Sequence, residues 1–309
     1  MKFSEGLTFK SNNDGTCMIK SIGDCEDLVI NIPPTSSEGD IVTKIGGWAF
    51  ANCNDISSIT IPNSVTEIGD SAFSCCGMLQ SITIPESVTK IGDHAFAGCY
   101  FLYSIKIPGS ITEIEPAVFR GCAWLNSIVI PDSVTKIGRS AFEECTMLQS
   151  IEIPNSVKEI EASAFKGCEG LNSIVIPDSV TKLGWNAFSG CTDLSDIILS
   201  KNIKRIEEDT FSGCESLENI NIPSAVRYIG ADAFYNCIKL QKIIIPNGVR
   251  TINSCTFEEC RSLREIHIPN SVKTISINAF YGCKSLKKIS IPKNVTTIKG
   301  GSNFPNLKI

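Results

Sequence analysis

The stretch Ile68-Gly-Asp-Ser-Ala-Phe-Ser-Cys-Cys76 decides the fold, because its pattern returns every 23 residues. Phe stands at 50, 73, 96, 119, 142, 165, 188, 211, 234, 257 and 280, and a Cys follows each three residues later, from Cys53 to Cys283. Eleven Phe–Cys pairs in strict register imply stacked, nearly identical coils rather than a globule around one central core. Working outward, a unit reads Leu79-Gln-Ser-Ile82-Thr-Ile84-Pro85, then Val88, Ile91-Gly92, Ala95-Phe96 and Cys99. Ile82-Thr-Ile84 alternates as a short half-buried strand does. Pro85 ends it, since proline has no N–H for the ladder. Val88 and Ile91 begin a return path. The spacing of Ile91, Ala95, Phe96 and Cys99 predicts about one turn of α or 3₁₀ helix, with Asp93 placed to cap it. No coil can bury its apolar set alone, so each must stack on the next.

Composition agrees with a folded chain. Of 309 residues, 42% are hydrophobic and 20% charged, which is globular rather than disordered usage. No apolar run approaches the ~18 residues of a membrane span. The opening Met1-Lys-Phe-Ser-Glu-Gly6 lacks the apolar core of a signal peptide. A net charge of −5 argues against nucleic acid as the main partner. The charge is uneven: residues 241–309 carry eleven Lys/Arg against three Asp/Glu, a balance of +8 that leaves −13 for residues 1–240. That is either drift on a solvated surface or a handle for an acidic partner at the C-terminal end.

Residues 1–40 stand outside the period and are expected to cap the stack. Leu7-Thr-Phe9 and Met18-Ile19 read as short strands about a turn at Asn13-Asp14-Gly15. Leu28-Val-Ile-Asn-Ile-Pro33 already resembles the repeat's strand, but its Pro comes six residues early. Residues 41–299 form the solenoid of about eleven units, and 300–309 a tail or minimal cap, with Phe304 one residue past its periodic place.

The Leu-x-x-Ile-x-Ile-Pro and Ile-Gly-x-x-Ala-Phe-x-x-Cys halves together resemble the BspA-like class of leucine-rich repeats over residues 42–299. Gly6-Leu-Thr-Phe9 and Asp24-Cys25 resemble that family's N-terminal cap. The resemblance implies a curved, β-rich solenoid with one short strand per coil on its concave side. It also implies a non-enzymatic adhesin-like role at the cell surface or outside the cell, toward host or matrix protein or glycan. Some residues depart from the pattern. Ser64, Ser87 and Ser133 stand where common leucine-rich repeats have a ladder Asn. Val118, Thr210 and Thr256 replace the Ala before Phe, and Ser200 replaces the strand-ending Pro, where a kink is expected.

Candidate chemistry is sparse. The column cysteines have parallel side chains, so their Cβ atoms do not face one another, and an interior column of reduced thiols is expected. Cys17 and Cys25 could pair in an oxidising compartment, and Cys75 and Cys255 lie off the column. No Cys-x-x-Cys pair, phosphate loop or metal signature occurs, so no cofactor or metal is implied. His94 and His267 fall in different columns without a nucleophile and carboxylate beside them, which leaves no catalytic candidate.

Binding is the better reading. The outward strand column runs Thr60, Thr83, Lys106, Val129, Glu152, Val175, Ile198, Asn221, Ile244, His267, Ser290. Val129, Val175, Ile198 and Ile244 in it are apolar where solvent is expected. After the column Cys, Met78, Tyr100, Phe101, Tyr103, Trp124 and Met147 replace the polar residues of other units. Stacking would set them side by side, as a partner-binding patch or as rings folded over the coil edge. An intracellular interaction scaffold, or a stalk within a larger surface protein, are the alternatives to an adhesin.

Overall fold

The computed structural model describes residues 2–300, so Phe304 and nearly all of the expected C-terminal tail lie outside the described residues. The chain divides into two compact units, Met1–Pro154 and Asn155–Ile309. Each unit is a β-solenoid of 23-residue coils.

In the first unit two ladders of parallel strands run along the stack. One joins Val29–Asn31, Ser58–Thr60, Ser81–Thr83, Ser104–Lys106 and Ser127–Val129 in unbroken register. The other joins Thr16–Ser21, Ile41–Ile45, Glu67–Ile68 and Lys90–Ile91. Thr8–Ser11 pairs antiparallel with Thr16–Ser21 and ends this second ladder with a hairpin. Its turn forms where the sequence reading places it, with Asn13 and Gly15 at positive φ. The second unit repeats the pattern, for example Ser173–Val175 on Asp196–Ile198, Lys242–Ile244 on Glu265–His267, and Thr251–Ile252 on Thr274–Ile275.

Packing follows the apolar positions. Leu79, Ile82, Ile84, Val88, Ile91, Ala95, Phe96 and Cys99 are all buried. The Phe rings stack face to face, Phe73 on Phe96 at 5.4 Å between centroids and Phe96 on Phe119 at 5.8 Å, within 9° of parallel. In the second unit Phe188 lies 5.4 Å from Phe165 and 5.8 Å from Phe211. Thr210 and Thr256 fit before Phe because their buried hydroxyls donate to the carbonyls of Glu207 and Asn253. Ser200 keeps the turn that Pro makes elsewhere, since the Ile203 amide still donates to its carbonyl. Its hydroxyl also donates to the carbonyl of Val180 at 2.7 Å.

The expected helical turn does not form: no helix occurs among the described residues. The reason lies in the backbone. In each coil the residue two before Phe and the residue two after it have positive φ, as at Ser71 and Cys75 around Phe73 or His94 and Gly98 around Phe96. Left-handed residues at both sites interrupt any run of helical bonds. The amides alternate instead. Ala72, Ser74 and Cys76 donate to carbonyls three residues back, while Ser71, Phe73 and Cys75 donate to Asp93, Ala95 and Ala97 of the next coil. This face is therefore a third inter-coil ladder, and the spacing read as helical reflects turns of about the same residue count.

The column cysteines are reduced, as are all fifteen. From Cys76 on, the Sγ donates to the carbonyl of the Phe in the coil before, at 3.0 Å for Cys76, 3.2 Å for Cys99 and Cys122 and 3.1 Å for Cys283, whereas the half-buried Cys53 donates to the Ala51 carbonyl. Burial pushes the Cys76 and Cys122 thiols up to about 12, so they are inert packing groups at neutral pH. Cys17 is buried and donates to the Asp40 carbonyl, and Cys25 is half-buried with a free thiol.

Candidate binding surface

The aromatic residues face outward for a local reason. Cys99 and Leu102 are both fully buried, so Tyr100 and Phe101 between them must turn away from the interior. The same holds for Trp124 between Cys122 and Leu125, and for Met147 between Cys145 and Leu148. Backbone bonds then set these positions in register. The Phe101 amide donates to Gly77, that of Trp124 to Tyr100, and that of Met147 to Ala123, at 3.0–3.1 Å.

The result is a ridge on the first unit. Met78, Phe101, Trp124 and Met147 occupy one column, one per coil. Tyr100 meets Phe101 edge-on at 5.0 Å, and Phe101 meets Trp124 at 5.7 Å. Met78, Tyr100, Tyr103, Trp124 and Met147 remain 43–49% exposed while Phe101 is half-buried beneath them. Phe101 joins the exposed Tyr100 and Trp124, and with Met78 and Met147 in the same column they form an apolar strip. Within this unit Asp55 stands in the same column and bounds the strip.

The strand-face candidates are less coherent. Val129 is 77% exposed but lies between Lys106 and Glu152 on the neighbouring strands. In the second unit Val175 and Ile198 are paired in register and both exposed. Ile244 instead faces His267. The structure thus joins two of these four. His94 sits exposed at a left-handed position, and His267 is exposed on a strand. Among the described residues no group of three or more His, Cys, Asp or Glu could hold a metal ion, and no helix is long and apolar enough to cross a membrane.

Sequence reasoning missed other exposed residues. Trp48, at 66%, is the most exposed aromatic among the described residues and occupies the left-handed slot two before Phe50. It breaks no period and carries no turn signature. Also missed is a charge ladder on the second sheet. Lys44, Glu67 and Lys90 stand one coil apart, with Glu67 2.9 Å from Lys44 and 3.8 Å from Lys90. In the other unit Glu159 meets Lys182 at 3.3 Å. Reading every 23rd residue as a column reveals this alternation without a structure.

The profile described as "BspA type Leucine rich repeat region" matches residues 30–149, 135–262 and 227–308, in six copies. No curated protein matches the chain. Among solved structures, a leucine-rich repeat protein from Bacteroides ovatus is 32% identical, with 94% of each chain covered and a TM-score of 0.59. A leucine-rich cell surface protein from Faecalibacterium prausnitzii is 29% identical over 99% of this chain and 96% of that one, with a TM-score of 0.65. The pneumococcal vaccine antigen PcpA, 22% identical over 99% of this chain and 80% of its own, shares the fold with a TM-score of 0.61. With the repeat, the buried columns and these matches in agreement, the chain belongs to the BspA-type leucine-rich repeat family.

Proposed function

We propose that this protein is a non-enzymatic binding module, secreted or displayed at a cell surface, that engages a host or matrix protein or glycan as an adhesin does. The observation that carries this reading is the ridge of Met78, Tyr100, Phe101, Tyr103, Trp124 and Met147. Tyr, Trp and Met supply large contact area and are enriched where proteins bind. Their side chains are anchored by a repeating backbone, so little ordering is lost on contact. The likeness to a cell surface protein, 29% identical over almost the whole length of both chains, supports the location. Val175 and Ile198 form a smaller second contact area on the same reading.

The test is a binding screen of the full chain against immobilised matrix proteins and glycans, repeated with Trp124→Ala and Tyr103→Ala. Each variant should weaken the captured ligand at least tenfold, about 1.4 kcal/mol, and leave the thermal midpoint almost unchanged. A large drop in thermal midpoint with unaltered binding would show that the rings merely cover the coil edge.

A further inference from the structure

One corner of the coil differs between the two units. The residue after the buried Val or Ile that follows the turn is Thr at 43, 66, 89, 112 and 135 in the first unit. In the second unit the same slot holds Lys158, Thr181, Lys204, Arg227, Arg250, Lys273 and Thr296. Four consecutive coils therefore present a cation at one repeating position. All four side chains are exposed. Inter-coil bonds hold their backbones in step, the Arg227 amide donating to Lys204 and that of Lys273 to Arg250, both at 2.8 Å. Stacked strands lie ~4.8 Å apart, so the four cations recur at about that interval along the stack.

The row is not neutralised. None of the four takes part in an ion pair among the described residues. No Asp or Glu stands within two residues of any of them in sequence. The nearby carboxylates are engaged, Glu207 by Arg205 and Glu208 by the Tyr228 hydroxyl. A groove of about 610 Å³ opens at the middle of the row, between Arg227 and Arg250, and is lined also by Tyr228, Thr251, Asn253 and Ser271. Gly248 opens it: a Cβ there would come within 2.6 Å of the Arg227 Cδ. Arg227 is fixed at the rim by donating to the Ser224 and Val226 carbonyls.

We propose that this row binds a linear acidic polysaccharide, a sugar chain carrying sulfate or carboxylate groups along its length. Evenly spaced cations on a rigid frame suit a polymer with repeating anions. The Thr251 hydroxyl and the Asn253 Oδ1 suit sugar hydroxyls, while Asn253 Nδ2 donates to the Ile229 carbonyl and the Ser271 hydroxyl, bonded to the Gly248 amide and the Val249 carbonyl, shapes the groove wall. A single-stranded nucleic acid would want open aromatic faces on which to stack bases. The only ring here, Tyr228, is already covered by the Arg205 guanidinium at 3.9 Å. The row belongs to the second unit and the ridge to the first, and the proposal does not depend on the ridge.

The repeat supplies its own control substitution, since Thr occupies the slot in five coils of the first unit. The full chain and a K204T/R227T/R250T/K273T variant would be titrated against immobilised heparin, chondroitin sulfate, uncharged dextran and a single-stranded DNA oligonucleotide at several salt concentrations. A second variant, R264T/K284T/K287T/K288T, removes the same charge elsewhere on the unit. The expected result is salt-sensitive binding of the parent chain to one or both acidic polysaccharides. The row variant should lose about tenfold or more with a shallower salt dependence, and the second variant should stay near the parent. Trp124→Ala should bind these polymers as the parent does, which separates failure here from failure of the ridge. Four results would overturn the proposal: no binding by the parent, no effect of the row variant, equal loss in both variants, or row-dependent DNA binding as tight as that of the polysaccharides.

Discussion

Replacing Phe96 by Ala tests whether the interior is a one-dimensional stack. Phe96 is fully buried, 5.4 Å from Phe73 and 5.8 Å from Phe119. Losing a buried Phe side chain costs ~3–5 kcal/mol, from lost transfer energy and the cavity left behind. Part of that is ring stacking, at ~0.5–1.5 kcal/mol for each of two neighbours. The stack predicts a pattern as well as a size. Phe96→Ala and Phe119→Ala share a contact, so their double variant should depart from additivity by ~0.5–1.5 kcal/mol. Phe73→Ala and Phe119→Ala are separated by a whole coil and should add within ~0.5 kcal/mol. Urea unfolding followed by far-ultraviolet circular dichroism gives each value, provided the slope with urea stays constant across the set. Equal coupling in the adjacent and the separated pair would refute the reasoning, because it would mean that coils sense one another beyond their neighbours. A Phe96→Ala cost below ~1 kcal/mol would refute it too, since the ring would then not be packed as described.

The thiols give two further outcomes. With an aromatic disulfide reagent, exposed Cys75 should react at once and the buried column thiols, Cys76 to Cys283, only after denaturation. Cys75→Gly should abolish that fast phase and leave stability equal or slightly higher, because Cys75 has φ 59° and Gly98 fills the same slot one coil on. Stability should also fall at high pH. Folded Cys76 and Cys122 keep their protons up to about 12, whereas an unfolded thiol ionises near 8.5. Their contribution is complete below that value and is lost as pH rises toward 12. The urea midpoint should therefore drop through this window, and more shallowly in Cys122→Ala; a pH-independent midpoint would contradict the buried thiol column.

Much of this architecture is legible in the residues. Phe, Cys, Leu and Ile recur at fixed offsets, and a coil with no core of its own has one way to hide them. The ridge was legible for the same reason. Tyr100, Phe101 and Trp124 break a column that is polar elsewhere, and Cys99 and Leu102 on either side are tied to the interior. The cation row was equally present in the letters, but only for a reader who lines up the slot after each turn and sees Thr become Lys or Arg.

Backbone hand was not legible. Ile91, Ala95, Phe96 and Cys99 have spacings that suit a helix, yet His94 and Gly98 take positive φ and send alternate amides to the next coil. A left-handed conformation at Trp48, Ser71 or Ala117 carries no mark in the side chain, because these residues accept the strain only when the neighbouring coil holds them there. Which outward residues touch was likewise decided in three dimensions: Val175 and Ile198 share a strand pair, while Val129 is flanked by Lys106 and Glu152. Period and inward pattern are properties of the chain, since burial demands them of every coil alike. Local dihedrals and surface neighbours arise only once coils exchange hydrogen bonds, because the energy that holds them comes from the adjacent coil.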